Sequence, residues 1–268
     1  MDIITLCRRI CLQEELIDSV VNFINENKCE YMNYAKGMTD FNIAEKMFIE
    51  FSEKYNGNKL NTHILAVYML SCLYSYEKYQ ELGISDDIFN DTMKCFTRFV
   101  SECTKKTGEC YFDRGFWTYR QTALQIFRIG ELEYELVEDN GTKLISIHIP
   151  SDAILTKELI EESVYKCRKF MEKHYPDYTG CEYVCGTWLL SPNLRNYLNE
   201  GSRILQFQSF FKIKNFNQES KDFIDWLFMK DKDYDITMLP ENTSLQRNVK
   251  KALLEGNKIG SAYGTLII

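Results

Sequence analysis

Several features that mark common functional classes are missing from this 268-residue chain. Neither half is basic: residues 1–108 hold 12 Lys and Arg against 16 Asp and Glu, and the remainder holds 20 against 23. Because binding along a phosphate backbone needs a basic surface, we expect no nucleic-acid partner. The longest apolar runs are far shorter than the ~20 residues of a membrane-spanning helix, so we expect no membrane partner.

Metal-ligand spacing is also missing. The chain has three histidines, and its ten cysteines form no CxxC pair, so the sequence predicts no metal site. The first residues, MDII, lack the basic segment of a secretory signal. We therefore expect free, buried thiols in a reducing cytoplasm. A cysteine-dependent hydrolase is a weaker hypothesis, because no base is evident near Cys185.

A change of pattern near Cys110 divides the chain. Before it, apolar residues at helical spacing predict helices over 3–26, 41–55, 61–82 and 86–108. After it, strands alternate with helices. We therefore predict an α+β protein with a helical domain at 1–110 and a second, mixed domain at 111–268.

The second half is predicted to contain strands from Trp117 to Ile129, a hairpin at the DNG segment 139–141, and a strand over 144–149. A helix over 157–174, a strand over 182–190, and a long strand over 203–213 follow. The chain is predicted to end with helices over 218–229 and 244–255 and a strand over 259–268.

Five segments of this half resemble a family of bacterial acyltransferases. They are FWTYRQ (116–121), FRIG (127–130), IHIPS (147–151), TWLLSP (187–192) and ILQF (204–207). In that family a helical N-acyltransferase N-terminal domain precedes a GNAT-like C-terminal domain. The resemblance covers nearly the whole chain and is most specific over 111–213. It implies a mixed, mainly antiparallel sheet flanked by helices, with direct acyl transfer from acyl-CoA to a small amine or hydroxyl acceptor; it leaves the oligomeric state open.

The resemblance also places the cofactor loop. GNAT proteins hold the CoA pyrophosphate on backbone N–H groups of a Gly-rich loop that opens a helix. Here that segment is 149–156, and the predicted cofactor-binding residues are Ile149, Ser151, Ala153 and Thr156. The segment contains no glycine, and Asp152 would repel a pyrophosphate. This departure favours the alternative, a non-catalytic binding or regulatory protein that has lost the CoA loop.

Two residues are candidates for proton transfer. Strand alternation places His148 on the face opposite Ile147, and histidine exchanges protons near neutral pH, so His148 is the predicted general base. Tyr197 stands four residues before Gly201, as in the family's Y-x-x-x-G ending, and is the predicted general acid for the departing thiolate. A strand histidine bonded to its neighbour and a packing tyrosine remain the structural alternatives.

Arg128, Gln206 and Gln208 are the predicted substrate-binding residues. On a strand, the two glutamines would line a polar groove on one sheet face, or face solvent. Arg128 would anchor an anionic substrate, or pair across the hairpin with Glu133 or Glu135.

Overall fold

The computed structural model describes residues 1–55, 62–230 and 233–268. Contacts divide the chain into two compact units, Met1–Ile129 (unit 1) and Gly130–Ile268 (unit 2). The predicted end of the second helix, at the NGN segment 56–58, lies outside the described residues.

Unit 1 is helical. Its described elements are α1 (Ile3–Arg9), α2 (Glu14–Gly37), α3 (Ala44–Lys54), α4 (Thr62–Glu81), α5 (Asp86–Met93), α6 (Cys95–Thr107), α7 (Gly115–Thr122) and the short strand β1 (Ile126–Ile129). Helix α4 is buried on most of its circumference and packs against α1, α2, α5 and α7. An apolar surface all round is typical of a central helix, as the sequence predicts.

Helix ends in unit 1 follow local chemistry. The side chain of Ser85 accepts a hydrogen bond from the Ile88 N–H and begins α5. Gly108 ends α6 in the left-handed conformation, with φ of 79°. The single predicted helix over 3–26 is wrong, because Cys11 adopts φ of 58° and the chain turns before α2 begins.

The predicted strand from Trp117 is also wrong, since residues 115–122 form α7. This helix packs on α3 and α4. The Tyr68 hydroxyl on α4 donates to the Gly115 carbonyl oxygen at 2.6 Å. Ser75, also on α4, donates to the Thr122 carbonyl oxygen at 2.6 Å. These bonds hold both ends of α7 to α4.

The boundary between the two compact units therefore differs from the predicted domain boundary between residues 110 and 111. Because α7 and β1 pack within unit 1, the divide falls between Ile129 and Gly130. Polar side chains are buried in α7, among them Thr118 and Gln121. The apolar pattern of the segment therefore gives no clear helical stripe, and the sequence resembles a strand.

Unit 2 mixes strands and helices. Its described elements are β2 (Leu132–Asp139), β3 (Thr142–His148), α8 (Lys157–His174), β4 (Glu182–Thr187), α9 (Arg203–Ser209), β5 (Phe211–Asn217), α10 (Asp222–Phe228), α11 (Ser244–Leu254) and β6 (Ser261–Leu266), with 3₁₀ turns at Pro176–Tyr178, Trp188–Leu190, Asn193–Tyr197 and Ile236–Met238. The bounds of α8 agree with the predicted helix, and Thr243 and Gln246 form a capping box at the start of α11.

The predicted strand over 203–213 is wrong. Gly201 has φ of 81°, and the Ser202 side chain accepts a hydrogen bond from the Ile204 N–H, so a helix begins there. Helix α9 runs to Ser209, and β5 starts only at Phe211. Alternating Phe and Gln residues suit a period of two, but capping at Ser202 and packing decide for the helix.

The strands of unit 2 lie in the order β2-β3-β4-β6-β5. All neighbours are antiparallel except β3 and β4, which are parallel. This mixed, mainly antiparallel sheet with flanking helices confirms the predicted α+β fold class. The carboxyl ends of β3, β4 and β5 lie at the same end of the sheet as the amino ends of β2 and β6. We call this end of the sheet the carboxyl edge. Its residues are, in the same order of strands, His148, Thr187, Asn217, Leu132 and Ser261.

Helix α8 packs against β2. The hydroxyls of Tyr134 and Ser163 are 2.8 Å apart, and both side chains are buried. Gly130 (φ of 67°) lies so near this helix that an added Cβ would meet Ser163 at 3.1 Å. The close contact between Gly130 and Ser163 holds the start of β2 against α8. Because α8 follows the predicted cofactor loop, this contact also positions the carboxyl edge beside that loop.

We predict that Tyr68→Phe destabilises the protein by about 1 kcal/mol, because the buried hydroxyl loses its hydrogen bond to the Gly115 carbonyl oxygen. The measurement is urea unfolding followed by circular dichroism. Tyr165→Phe is the matched control, since Tyr165 is 62% exposed and its hydroxyl faces water. Equal stability of the two variants would contradict the docking of α7 through this bond.

Candidate active site

A histidine–carboxylate pair lies at the carboxyl edge. His148 is the last residue of β3 and stands opposite Glu133 on β2, while Glu135 stands opposite Ser146. Residues paired across strands share a sheet face, so both glutamates lie on the same face as the imidazole. The His148 Nε2 is 2.8 Å from a carboxylate oxygen of Glu135.

This contact orients the imidazole. A carboxylate can only accept a hydrogen bond, so Nε2 carries the hydrogen and donates a hydrogen bond to Glu135. In the neutral ring the lone pair is then on Nδ1. The two side chains are 26% and 12% exposed, so the pair is partly shielded but can be reached. This geometry is typical of a general base in which a neighbouring carboxylate, here Glu135, fixes the orientation of the imidazole ring.

Sequence reasoning missed the role of Glu135, which it considered only as a partner for Arg128. The signal was present in the hairpin. The DNG turn fixes the register of β2 and β3, with Asn140 and Gly141 both at positive φ. That register places the glutamates of β2 beside the last residue of β3.

The ladder between β3 and β4 ends before either strand does. Their parallel register ends at Ser146 and Val184. Strand β3 nevertheless stays paired with β2 as far as His148, and β4 stays paired with β6 as far as Thr187. Among the described residues, no register pair joins β3 and β4 beyond Val184. The ladder therefore ends close to the carboxyl edge, where His148 is the last residue of β3.

The predicted cofactor loop connects β3 to α8 at the same edge. Within it, the Ala153 N–H donates to the Pro150 carbonyl oxygen at 3.0 Å and forms a turn. The Ile154 N–H donates to the carboxylate of Glu131 at 2.7 Å. In the GNAT template, backbone amides of this loop bind the pyrophosphate. Here one of them, the Ile154 N–H, is instead bonded to the Glu131 carboxylate of the same chain.

The other predicted loop residues differ in exposure. Ile149 and Thr156 are half-buried, and Ser151 is exposed. Thr156 precedes α8 in an extended conformation, as a helix cap does. The loop thus has the expected position, between a strand end and a helix start, but lacks the expected glycines.

Tyr197 ends the 3₁₀ turn that follows β4. It is half-buried and lines two cavities, of about 260 and 350 Å³. His148 lines neither cavity. The predicted acid and base therefore belong to different parts of the carboxyl edge.

The predicted glutamine groove does not form, because α9 replaces the strand. Residues two apart on a helix point in different directions. Gln206 is exposed, whereas Gln208 is 1% exposed and its amide donates to the carbonyl oxygens of Leu189 (2.7 Å) and Ser191 (3.1 Å). Its carbonyl oxygen accepts from Arg195 at 2.7 Å. These bonds make Gln208 a support for the turn after β4.

Arg128 lies on β1 in unit 1, outside the unit that contains the other candidates. It is half-buried, and its backbone N–H donates to the Thr92 hydroxyl at 2.9 Å. Its role in substrate binding stays a prediction.

The thiols show no activated nucleophile. All ten cysteines are free. Burial raises the pKa of Cys185 to about 12, so its nucleophilic thiolate form is scarce at neutral pH. Burial likewise raises the pKa of Cys7 to about 12 and that of Cys110 to about 11. The hydrolase hypothesis has no support at these positions.

Metal clusters and membrane-spanning helices are absent from the part of the chain that is described. No group of three or more His, Cys, Asp or Glu side chains there could hold a metal ion. No described helix is both long and apolar enough to cross a membrane.

Two family models match the chain. An N-acyltransferase N-terminal domain matches residues 1–124, and a GNAT-like C-terminal domain matches residues 126–266. The chain belongs to this two-domain, GNAT-like family. The predicted family is thereby confirmed. The junction between the matches lies near the contact divide after Ile129.

Solved structures with a similar fold include three acyltransferase complexes. One, with decanoyl-CoA and teicoplanin, has a TM-score of 0.81 at 20% identity over 98% of this chain and 86% of that chain. A mutant with octanoyl-CoA has a TM-score of 0.81 at 19% identity over 98% and 87%. One with CoA and 10C-teicoplanin has a TM-score of 0.72 at 17% identity over 99% of each chain. No curated protein sequence matches the chain. At these identities the likeness concerns the fold.

Proposed function

We propose that the protein is an acyltransferase that uses acyl-CoA and transfers the acyl group directly to an amine or hydroxyl of a small-molecule acceptor. The observation that carries this proposal is the early end of the β3–β4 ladder beside the His148–Glu135 pair. Support comes from similarly folded acyltransferases in complex with decanoyl-CoA, octanoyl-CoA and teicoplanin. The free cysteines and the family resemblance favour a cytoplasmic, bacterial protein.

In this proposal β3 and β4 separate beyond Ser146 and Val184 and admit the pantetheine arm, whose amides hydrogen-bond to the strand backbones. Bound acyl-CoA would supply the thioester. His148 Nδ1 removes a proton from the acceptor as its nitrogen or oxygen bonds to the acyl carbon. Glu135 stabilises the resulting imidazolium. As the carbon–sulfur bond breaks, the thiolate takes up a proton. Tyr197 stays the predicted donor, and this role requires the thiolate to reach the turn after β4.

A second candidate function, a non-catalytic binding or regulatory protein, is favoured by one contact. The Glu131 carboxylate accepts the Ile154 N–H, and Asp152 in the same loop adds a second negative charge. Both carboxylates oppose a pyrophosphate at this position. The two candidates differ in whether acyl-CoA binds, so binding is the deciding measurement.

Thermal unfolding with acetyl-, octanoyl- and decanoyl-CoA tests the proposed function. A ligand present at 100 times its dissociation constant adds ~2.7 kcal/mol of stability. At ~2–4 °C per kcal/mol for a protein of this size, we expect a rise in melting temperature of several degrees with at least one acyl-CoA. Melting curves that coincide with and without each compound would favour the non-catalytic candidate.

We predict that His148→Ala lowers kcat/KM about 10²- to 10⁴-fold, the usual contribution of general base catalysis. Glu135→Gln should lower kcat by a smaller factor with little change in KM, because an amide can orient the imidazole but cannot stabilise its charge. The assay is acyl transfer to an amine, followed through thiol release. His174→Gln, at the half-buried end of α8 where the imidazole contacts Phe170, is the control. Turnover by His148→Ala at the level of that control would rule out the base role.

We predict that Glu131→Gln tightens CoA binding about threefold to tenfold, because glutamine keeps an acceptor for the Ile154 N–H but removes the negative charge. Isothermal titration with CoA at low salt measures the change. Glu138→Gln, at the far end of β2, removes the same charge away from the loop. If both variants bind CoA equally, Glu131 does not oppose the pyrophosphate.

A further inference from the structure

The strand register sets three residues in one row across the sheet of unit 2. Ser146 on β3 pairs with Val184 on β4. Two residues further along these parallel strands, His148 and Gly186 therefore stand at the same level. Gly186 pairs in turn with Tyr263 on β6. Because residues paired across strands share a sheet face, His148, Gly186 and Tyr263 lie on the same face.

The middle of this row is a glycine that the backbone does not require. Gly186 is exposed, its φ lies outside the left-handed region, and β4 pairs with β6 there without a bulge. An added Cβ would meet only the Tyr263 ring, at the ordinary contact distance of 3.6 Å. At Gly264, by contrast, a Cβ would meet a backbone oxygen of β5 at 3.0 Å. A strand glycine without a bulge or a close backbone often marks the close approach of a ligand.

The side chain of Tyr263 leans towards this glycine. Its Cδ2 is the atom that the added Cβ of Gly186 would meet, so the ring lies towards β4. The side chain is 41% exposed, and among the described residues none shares a hydrogen bond with its hydroxyl. On the opposite face, the hydroxyl of Tyr134 is bonded to Ser163. The Tyr263 hydroxyl is therefore available to a ligand that lies over Gly186.

The row has a base at one end and a hydrogen-bond donor at the other. With neighbouring strands ~4.8 Å apart, the backbones of β3 and β6 are about 10 Å apart. No side chain of β4 fills the space between His148 and Tyr263, because Gly186 stands there. The row also lies just beyond the end of the β3–β4 ladder. A small group above Gly186 would have the imidazole on one side and the phenolic hydroxyl on the other.

Acyl transfer needs a donor at such a position. When an acceptor attacks a thioester, negative charge develops on the carbonyl oxygen, and a donor aimed at that oxygen is usually a large source of catalysis. His148 takes up the acceptor's proton and does not meet this charge. Burial raises the pKa of Tyr263, so the hydroxyl stays protonated at neutral pH and can donate a hydrogen bond without losing its proton.

We propose that the thioester carbonyl lies over Gly186 and that Tyr263 is a catalytic residue, whose hydroxyl donates a hydrogen bond to the carbonyl oxygen as it becomes an oxyanion. This inference rests on the proposed function. The lone pair of the acceptor's nitrogen or oxygen forms the bond to the acyl carbon, His148 takes the proton, and the π electrons of the carbonyl move to its oxygen. When that electron pair returns, the carbon–sulfur bond breaks and its electrons leave on the sulfur. Tyr263 keeps its proton throughout.

Steady-state acyl transfer by Tyr263→Phe tests the donor. We expect kcat to fall about 100-fold, the low end of the usual loss for one such donor, because water reaches a side chain that is 41% exposed. The KM for acyl-CoA should change little, since this hydrogen bond strengthens only in the transition state. Tyr165→Phe, at an exposed position on α8, is the matched control.

Gly186→Ala and Gly186→Val test the position of the carbonyl. Both residues suit a strand better than glycine does, so the melting temperature should stay equal or rise. Because the new side chain occupies the space over β4, kcat/KM should nevertheless fall by about tenfold to 10²-fold, and further with valine than with alanine. Opposite changes in stability and activity separate a ligand contact from a structural role.

Turnover by Tyr263→Phe at the rate of Tyr165→Phe would overturn the donor role, as would a loss confined to KM. Unchanged kcat/KM in Gly186→Val would overturn the placement of the carbonyl. These results, obtained while the unaltered protein turns over, would sink this inference alone. An unaltered protein with neither turnover nor a melting shift with any acyl-CoA would instead sink the proposed function, and the role of Tyr263 with it.

Discussion

The early end of the parallel ladder between β3 and β4 is the constraint on which the rest of unit 2 depends. Both strands continue past Ser146 and Val184, but each is then paired only with its outer neighbour. The outer pairings with β2 and β6 hold the two strand ends in place where the ladder between them has stopped. The same register brings His148 and the predicted cofactor loop to one edge.

Sequence patterns predicted those parts of the fold in which a single local signal, such as a helical repeat of apolar residues or a capping or turn motif, is not contradicted by another. Helix α8, the capping box of α11 and the DNG hairpin all carry such local signals, and the structure has each of them. Helices α7 and α9 were missed for different reasons. In α7 polar side chains are buried, so the segment shows no clear apolar helical stripe. In α9 Phe and Gln alternate, so the helix carries a pattern with a period of two.

The candidate site was predicted in part. The placement of His148 on the face opposite Ile147 follows from alternation along the strand, and Tyr197 was singled out only by its spacing to Gly201. Gln208 was misplaced because its role depends on a helix and on the carbonyl oxygens of a distant turn. The carboxylate of Glu135 belongs to a different strand from the imidazole, so only the register of the hairpin reveals the pair.

The contact between Glu131 and the Ile154 N–H has a kinetic consequence. The Glu131 carboxylate belongs to the same chain as the loop and is already hydrogen-bonded to it. It therefore competes with a bound phosphate for the Ile154 N–H at a high effective concentration. If CoA is the product, the hydrogen bond re-forms as CoA leaves, and the residence time of the product shortens. Weak affinity for the nucleotide is then compatible with rapid turnover in the proposed reaction, because the Glu131 carboxylate would compete with the product for the loop.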